Sequence, residues 1–211
     1  MTTADEPASV EAAPIDDWRD YSADALPPEL AAALECFVES GFHGTTVRVI
    51  AARAGLSVAG YYHHHPSKEA TLVAVMRSAM ADLYARTLAA DAEAGADPVR
   101  RLTSHVECLV LFHAHRGDLA FIAASEIRSL GPQARAEHIA ERDRQQAVLE
   151  SIVHEGVLQG VFSVAHERDA VRALVTMCTG VSQWYRSGGG LEAEELAAEY
   201  VELARRMLGV R

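Results

Sequence analysis

Three consecutive histidines, His63, His64 and His65, are the first residues whose chemistry suggests a function. Neighbouring side chains in a helix point about 100° apart, so these imidazoles cannot converge on one metal ion without other ligands. The two His-Glu pairs, at 154–155 and 166–167, each lack a second histidine four residues later and form no zinc-protease motif. No serine lies in a nucleophile-elbow context. The sequence therefore predicts no metal site, no cofactor and no catalysis.

Hydrogen-bond donors suited to phosphate lie on both sides of the histidine run. Thr46 and Ser57 stand where short helices begin, and the helix dipole favours an anion there. Lys68 is the single lysine of a chain with 18 arginines. When a helix enters the major groove, the residues of its first turn face the base edges. The sequence therefore predicts a DNA interface formed by Thr46, Ser57, Val58, Ala59, Gly60, Tyr62, His63 and Lys68.

Two short helices must cross closely to present these side chains, and the residues between Ile50 and Tyr61 suit such a crossing. Ala51 is small at the point of contact, and Gly55 tolerates the positive φ of a tight turn. Tyr61 then extends an aromatic ring into the small core beside Ile50 and Leu56. This arrangement predicts a helix-turn-helix.

The remaining sequence has helical periodicity and no useful strand alternation, which predicts an all-α protein. Residues 1–27 are acidic and rich in Pro and Ala, so we expect a mostly disordered, solvated tail, with local docking of Trp18 and Tyr21 as the alternative. Residues 28–72 are expected to form a three-helix DNA-binding domain, and residues 73–211 a six-helix ligand-binding and dimerisation domain. The later helices are expected at about 66–92, 98–115, 118–129, 133–159, 168–187 and 192–208.

The formal net charge of −11 is unusual for a DNA-binding protein. Residues 1–27 contain seven acidic side chains and one arginine, whereas residues 28–72 contain four acidic and three basic side chains. The acidity therefore lies mainly outside the predicted interface, although that segment is not basic. The alternatives are an enzyme, which is a distant second class, and a helical interaction module without DNA affinity, which is a third class favoured only by the weak basicity. Gel shifts at rising salt would separate a DNA-binding protein from such a module.

The three cysteines, Cys36, Cys108 and Cys178, are far apart and lie in helical stretches, which is typical of core residues in a reducing compartment. No apolar run approaches the roughly 20 residues that a membrane-spanning helix requires. The acidic N-terminus lacks the pattern of a signal peptide. We therefore expect a cytoplasmic protein that does not interact with membranes.

The segment from Gly41 to Glu69 resembles the DNA-binding domain of the tetracycline-repressor (TetR) family. It contains the family's Gly-Phe turn, Thr-Thr cap, Ile-Ala-x-x-Ala-Gly-hydrophobic-Ser stretch and Ser-Lys-Glu sequence. It departs at Val49, where an acidic residue often completes the capping box, and at Tyr61 and His65, which replace a common aliphatic residue and a common Phe. The resemblance implies a homodimeric repressor that binds a palindromic operator in double-stranded DNA and is released by a small ligand.

The same resemblance places a ligand pocket and a dimer interface among the C-terminal helices. Small and apolar residues at 173–181 and 196–207 predict a four-helix interface between two subunits, or an ordinary core within one. The predicted pocket has polar groups that orient a ligand head within an apolar wall, although Trp184 is equally compatible with a core position. Its residues are Phe112, His113, Phe121, Arg128, Met177, Trp184 and Arg186.

The C-terminal sequence is also similar to regulators of fatty-acid or steroid breakdown that respond to acyl-coenzyme A thioesters. The similar stretches lie at 128–132, 142–143 and 184–186. They imply a small hydrophobic ligand, an acyl-coenzyme A, whose phosphates would be bound by Arg128 and Arg186 through bidentate contacts. The alternative is a multidrug-type sensor that responds to small hydrophobic compounds and not to thioesters.

Overall fold

The computed structural model describes residues 15–210, which contain helices and turns but no β-strand. The expected all-α class is confirmed. The helix-turn-helix region consists of α1 (Pro28–Gly44), α2 (Val47–Arg53) and α3 (Val58–His64). The helices that follow are α4 (Lys68–Ala94), α5 (Pro98–His115), α6 (Gly117–Ser125), a 3₁₀ turn (Glu126–Ser129), α7 (Pro132–Leu158), α8 (Glu167–Thr179), α9 (Val181–Trp184) and α10 (Ala193–Met207).

Glycines mark the two sharpest changes of direction in the N-terminal region. Gly41 has φ +68° and kinks the last turn of α1, and Gly55 has φ +69° in the turn between α2 and α3. Side chains with a Cβ rarely adopt these values, so glycine is the residue each turn requires. The helix expected at 168–187 is divided near Gly180 and ends at Trp184.

Apolar side chains form two cores, and α6 contributes to both. The N-terminal core contains Ile50, Tyr61 and Leu72 together with Leu119 and Ile122 of α6. The C-terminal core lies among α5, α7, α8 and α10 and includes Ala120 of α6. Helix α6 is therefore the wall that the two domains share.

Residues 15–27 are ordered, contrary to the expectation of a disordered tail. Trp18 is only 2% exposed within the C-terminal core, and its indole Nε1 donates a hydrogen bond of 2.8 Å to Glu93. The buried Arg86 guanidinium donates to the backbone oxygens of Trp18 and Asp20, each at 2.8 Å. The prediction of a disordered, solvated tail is wrong for these residues, because burial of the indole and these bonds outweighs the polar composition. Residues 1–14 of that predicted tail lie outside the described part of the chain.

The three cysteines are buried and form no disulfide with one another, which confirms their expected core positions. Burial raises the pKa of Cys108 and of Cys178 to about 12, so both thiols stay protonated near neutral pH. Within residues 15–210, no helix combines the length and apolar character needed to cross a membrane.

Candidate DNA interface and ligand cavity

Hydroxyl side chains begin both helices of the helix-turn-helix. The Thr46 Oγ1 atom accepts a hydrogen bond of 3.3 Å from the backbone nitrogen of Val49, so this cap forms without an acidic residue at position 49. The Ser57 Oγ atom accepts one of 3.0 Å from the backbone nitrogen of Gly60. Because each hydroxyl acts as an acceptor here, its own proton remains available to a phosphate oxygen.

Tyr61 fixes α3 against the rest of the domain. Its ring is fully buried beside Ile50 and Ala51, and its hydroxyl is hydrogen-bonded to the Thr71 hydroxyl of α4. Burial raises the pKa of Tyr61, so the phenol remains neutral. The tyrosine that replaces a common aliphatic residue therefore both fills the core and anchors α3 to α4.

The outer face of α3 presents most of the predicted DNA-contacting residues. Val58 is 42% and Tyr62 51% exposed, large fractions for such side chains and typical of a contact surface. Gly60 is half-buried, and a Cβ at that position would lie 3.3 Å from the Ser57 hydroxyl. The exposed members of the predicted set are Thr46, Ser57, Val58, Ala59, Tyr62 and His63.

Lys68 is oriented differently from the sequence-based expectation. Its Nζ atom donates to the backbone oxygens of Phe42, at 2.6 Å, and Thr45, at 2.7 Å. It also lies 4.3 Å from the centre of the Phe42 ring, a cation–π contact. Two of the three N–H donors of Nζ are therefore used inside the protein, where they hold the end of α1 to the start of α4.

Arg48 is a candidate that sequence reasoning missed. It is exposed on α2, next to the Thr46 cap, and forms no salt bridge within residues 15–210. Arg53, by contrast, is paired with Glu39 at 2.7 Å and Glu35 at 3.6 Å. A basic residue in the first turn after a helix cap was the signal that could have identified Arg48 as a phosphate contact.

A cavity of about 260 Å³ lies between α4, α5, α6, α7 and α8. Its walls are mostly apolar. The polar side chains in the walls come mainly from α5 and α7, and one of those on α7 is the exposed Arg142. The lining includes Met80, Leu83, His105, Leu109, Phe112, His113, Ala120, Ala123, His138, Ile139, Arg142, Asp143, Gln145 and Val175.

Buried histidines are the main polar groups of this cavity. The His113 Nδ1 atom lies 2.7 Å from the backbone oxygen of Leu109, and the His138 Nε2 atom lies 3.0 Å from that of Ala123. Burial lowers the pKa of His105 and of His113 to about 4. Burial, helped by the positive charge of Arg142, also lowers the pKa of His138. All three imidazoles are therefore neutral at pH 7.

The seven predicted ligand-binding residues do not share one pocket. Phe112 and His113 line the cavity as expected. Phe121 and Arg186 border a separate groove beside α1. In α6, Ala120 faces the cavity and Ile122 faces the N-terminal core, so Phe121 between them points away from both. The structure therefore divides these four residues between two places, and their binding of a ligand stays a prediction.

The other three predicted residues also lie away from the cavity lining. Met177 is partly buried against the C-terminal core. Trp184 is 51% exposed and close to Tyr200 on the outer face of α9 and α10. Arg128 is exposed on the 3₁₀ turn. A hydrophobic side chain that lies in a surface patch cannot be distinguished by sequence from one that lines a pocket. This explains why the sequence analysis assigned Trp184 to the pocket.

Sequence reasoning missed His105, His138, Arg142 and Gln145, which all line the cavity. The spacing of these residues offered a signal. Residues 105, 109 and 113 repeat every four positions on α5, and residues 138, 142 and 145 repeat every three or four positions on α7. Each set lies on one helix face.

Comparison with known proteins identifies the family. Residues 30–75 match the model described as "Bacterial regulatory proteins, tetR family", and residues 95–208 match "Tetracyclin repressor-like, C-terminal domain". The HTH-type transcriptional repressor KstR2 of Mycobacterium tuberculosis is 32% identical over 177 residues, which are 83% of this chain and 87% of that protein. The chain belongs to the TetR family. It is a DNA-binding, TetR-type transcriptional repressor, and this family is not a class of enzymes.

Solved structures of other proteins have the same fold. A bacterial regulatory protein in the tetR family from Rhodococcus RHA1 is 32% identical, with a TM-score of 0.83 over 90% of this chain and 100% of the other. AibR in complex with isovaleryl coenzyme A and operator DNA is 24% identical, with a TM-score of 0.73 over 87% of this chain and 100% of the other. At that lower identity the likeness to AibR shows the fold alone.

Proposed function

We propose that this TetR-family repressor binds a two-fold-symmetric operator as a homodimer and is released by an acyl-coenzyme A thioester. The observation that carries the proposal is the position of α6. One side of this helix lines the cavity through Ala120 and Ala123, while Leu119 and Ile122 belong to the core of the DNA-binding domain. A ligand that displaces α6 therefore acts directly on the domain that binds DNA.

The dimensions of the cavity support a ligand of which only part is enclosed. A volume of about 260 Å³ lies below the range of about 300–1,000 Å³ that is typical of pockets for drug-sized ligands. An acyl group suits the apolar walls, whereas coenzyme A would remain outside. Arg142 lines the cavity and is exposed, so its guanidinium is the cation best placed for a coenzyme A phosphate. The AibR complex with isovaleryl coenzyme A supplies a precedent on the same fold.

Two hydrogen bonds would transmit a displacement of α6 to the DNA-binding domain. Glu126, directly after α6, accepts a hydrogen bond of 3.2 Å from the backbone nitrogen of Phe42 in α1. Glu69 at the start of α4 accepts one of 2.7 Å from the backbone nitrogen of Gly131, which precedes α7. Both α6 and α7 line the cavity, so ligand binding would strain both bonds and favour a conformer that no longer fits the operator.

The homodimer would form through an exposed apolar patch on α9 and α10, which consists of Trp184, Leu203 and Met207. These side chains are 51%, 45% and 41% exposed. Leu203 and Met207 lie within the segment 196–207, from which the sequence predicts a four-helix interface, and Trp184 follows the other such segment, 173–181. Burying such a patch against a second copy removes apolar surface from water and sets the spacing of the two recognition helices.

Calorimetric titration with acyl-coenzyme A thioesters and the matching free acids, followed by operator release, tests the ligand class. We expect release by thioesters and little response to free acids. Arg142→Ala should weaken thioester binding about tenfold, since it removes a charge-assisted phosphate contact, and should leave operator affinity unchanged without ligand. Arg135→Ala, also exposed on α7 but outside the cavity lining, is the matched control. Equal release by free acids or unrelated hydrophobic drugs would instead make this a multidrug-type sensor.

A further inference from the structure

The cavity wall contains hydrogen-bond acceptors without donors. The His113 Nδ1 atom lies 2.7 Å from the Leu109 carbonyl oxygen. A carbonyl oxygen can only accept, so Nδ1 carries the proton, and Nε2 of this neutral ring is left as an acceptor. No protein group within residues 15–210 donates a hydrogen bond to that Nε2 atom. His113 itself is 6% exposed.

His138 repeats this arrangement on the facing helix. Its Nε2 atom donates to the Ala123 carbonyl oxygen at 3.0 Å, which leaves Nδ1 as the acceptor. That Nδ1 atom is buried and has no hydrogen-bond partner in the described structure. The Glu141 carboxylate lies 4.0 Å away, beyond hydrogen-bond distance. Two helices thus each bring one neutral imidazole acceptor to the same cavity.

Gln145 adds a third acceptor. Its amide nitrogen donates to the Thr87 hydroxyl at 2.7 Å, while its Oε1 atom is buried without a partner in the described structure. Buried polar groups in folded proteins are normally hydrogen-bonded, because an unpaired one costs about 1–3 kcal/mol. His138 Nδ1 and Gln145 Oε1 therefore carry this cost, and the buried His105 Nδ1 atom, in the same lining, is also without a partner in the described structure. Together with His113 Nε2, these atoms suit a ligand that brings a hydrogen-bonding group.

The described residues leave few other partners for these acceptors. No group of three or more histidine, cysteine or acidic side chains within residues 15–210 is arranged to hold a metal ion. A buried ammonium group would need a buried carboxylate, and Asp143, the sole carboxylate in the cavity lining, is exposed. A neutral O–H group, supplied by water when the cavity is empty and by a ligand hydroxyl when it is filled, is the donor that remains compatible with apolar walls.

We infer that the cavity selects a ligand whose apolar body carries a hydroxyl group that donates to His113, His138 or Gln145. This inference rests on the proposed acyl-coenzyme A function and narrows the acyl group to a hydroxylated one. A saturated acyl group fills the same space but leaves the acceptors unpaired. A keto group brings only another acceptor, so it leaves these three atoms unpaired and can pair only with donors elsewhere in the lining, such as His105 or Arg142.

Matched coenzyme A thioesters of one chain length test the inference through operator release by the wild-type protein. The set contains the saturated acyl group, hydroxylated derivatives with the hydroxyl at successive carbons, and the corresponding keto derivatives. We expect the best hydroxylated thioester to bind about tenfold more tightly than the saturated one and also more tightly than the corresponding keto derivative. Equal affinity of the saturated and hydroxylated thioesters, or a preference for the keto derivatives, would overturn the inference.

Two variants locate the effect. His113→Leu and His138→Leu should each lower the preference for the hydroxyl group while saturated thioesters still bind, and Met80→Leu, in the apolar lining, should keep the preference. Circular dichroism establishes that each variant is folded, and the wild-type comparison stands without them. If no thioester binds, free hydroxy-fatty acids and sterols are compared with their deoxy counterparts. A hydroxyl preference there would sustain this inference while the coenzyme A proposal fails, and its absence would overturn both.

Discussion

The Oε1 atom of Glu126 lies 3.2 Å from the backbone nitrogen of Phe42, 84 positions earlier in the chain, and accepts a hydrogen bond from it. The other oxygen of the same carboxylate accepts a bond of 2.6 Å from the Ser129 hydroxyl, which holds the 3₁₀ turn in place. One side chain therefore joins the end of α6 to the kinked end of α1, next to the helix-turn-helix.

Replacement of Glu126 tests this connection. Glu126→Ala should leave ligand affinity and operator affinity nearly unchanged when each is measured alone, but should reduce the factor by which ligand weakens operator binding. That factor is typically 5–150-fold in allosteric proteins. Fluorescence anisotropy with labelled operator, at saturating and at zero ligand, measures it. Asp118→Ala, exposed in the first turn of α6, is the control. An unchanged factor in Glu126→Ala would show that the signal travels by another route.

Lys68 and Arg48 should respond differently to mutation. Lys68→Met removes the hydrogen bonds from Nζ to the backbone oxygens of Phe42 and Thr45 and the cation–π contact with the Phe42 ring. We therefore expect a loss of about 1–3 kcal/mol in the free energy of unfolding. The salt dependence of operator binding should stay the same. Arg48→Ala should change the free energy of unfolding by no more than about 0.5 kcal/mol. It should make the negative slope of log K against log salt shallower by about 0.9, because one phosphate contact is lost. Thermal melting and salt-dependent anisotropy measure both. A reduced slope with unchanged melting in Lys68→Met would restore the phosphate assignment of Lys68.

The apolar patch on α9 and α10 predicts the effect of a surface charge. Leu203→Glu should yield monomers in sedimentation velocity, because an unpaired carboxylate would be buried between the subunits. Operator affinity should fall with it, since a monomer presents a single recognition helix. Leu88→Glu introduces the same charge at a similarly exposed leucine on α4 and should leave the dimer intact. A Leu203→Glu protein that still sediments as a dimer would place the interface elsewhere.

The buried histidines predict acid sensitivity. The pKa of His105 and of His113 falls to about 4 in the folded protein, from an ordinary value of 6.5. Between these values the unfolded chain binds protons that the folded protein excludes, so the free energy of unfolding decreases as pH falls from 6.5 to 4. Each histidine adds a slope of up to ~1.4 kcal/mol per pH unit.

Urea unfolding between pH 7.5 and 4.5 measures this slope. His105→Gln should lower the slope of the unfolding free energy against pH, relative to the wild-type protein, by the equivalent of about one bound proton. His63→Gln, on the exposed face of α3, should leave this slope unchanged. Carboxylates titrate alike in all three proteins, so the difference between them isolates the histidine. A slope that is the same in His105→Gln and the wild type would mean that this imidazole is accessible to protons in the folded state.

The helix-turn-helix could be predicted from the sequence because its determinants are local. Gly55 adopts the positive φ that its turn requires, and Thr46 and Ser57 cap the helices that they precede. Tyr61 occupies the core position expected from its spacing. Each of these features depends on residues within a few positions of one another, so sequence periodicity is enough to reveal them.

The cavity and the N-terminal segment could not be predicted in the same way. Phe112 and His113 line the cavity because they lie on the strongly apolar face of α5, but which face of α6 meets the cavity depends on packing between distant helices. Trp18 finds its partner Glu93 75 positions later, and nothing in the acidic composition around it indicates that contact. Lys68 was placed correctly in the motif, but a motif fixes a position and not the direction of a long side chain.

The burial of Trp18 also changes how the DNA-binding domain is attached. The chain leaves the C-terminal domain after the segment that contains Trp18, forms α1 to α3, and re-enters the same domain through α4. The DNA-binding domain is thus an insertion that two segments of the chain join to the C-terminal domain, in addition to the core that it shares with α6. Without the first attachment, the start of α4 and the shared α6 core alone would orient the domain, and the distance between the two recognition helices of a dimer would be less narrowly defined.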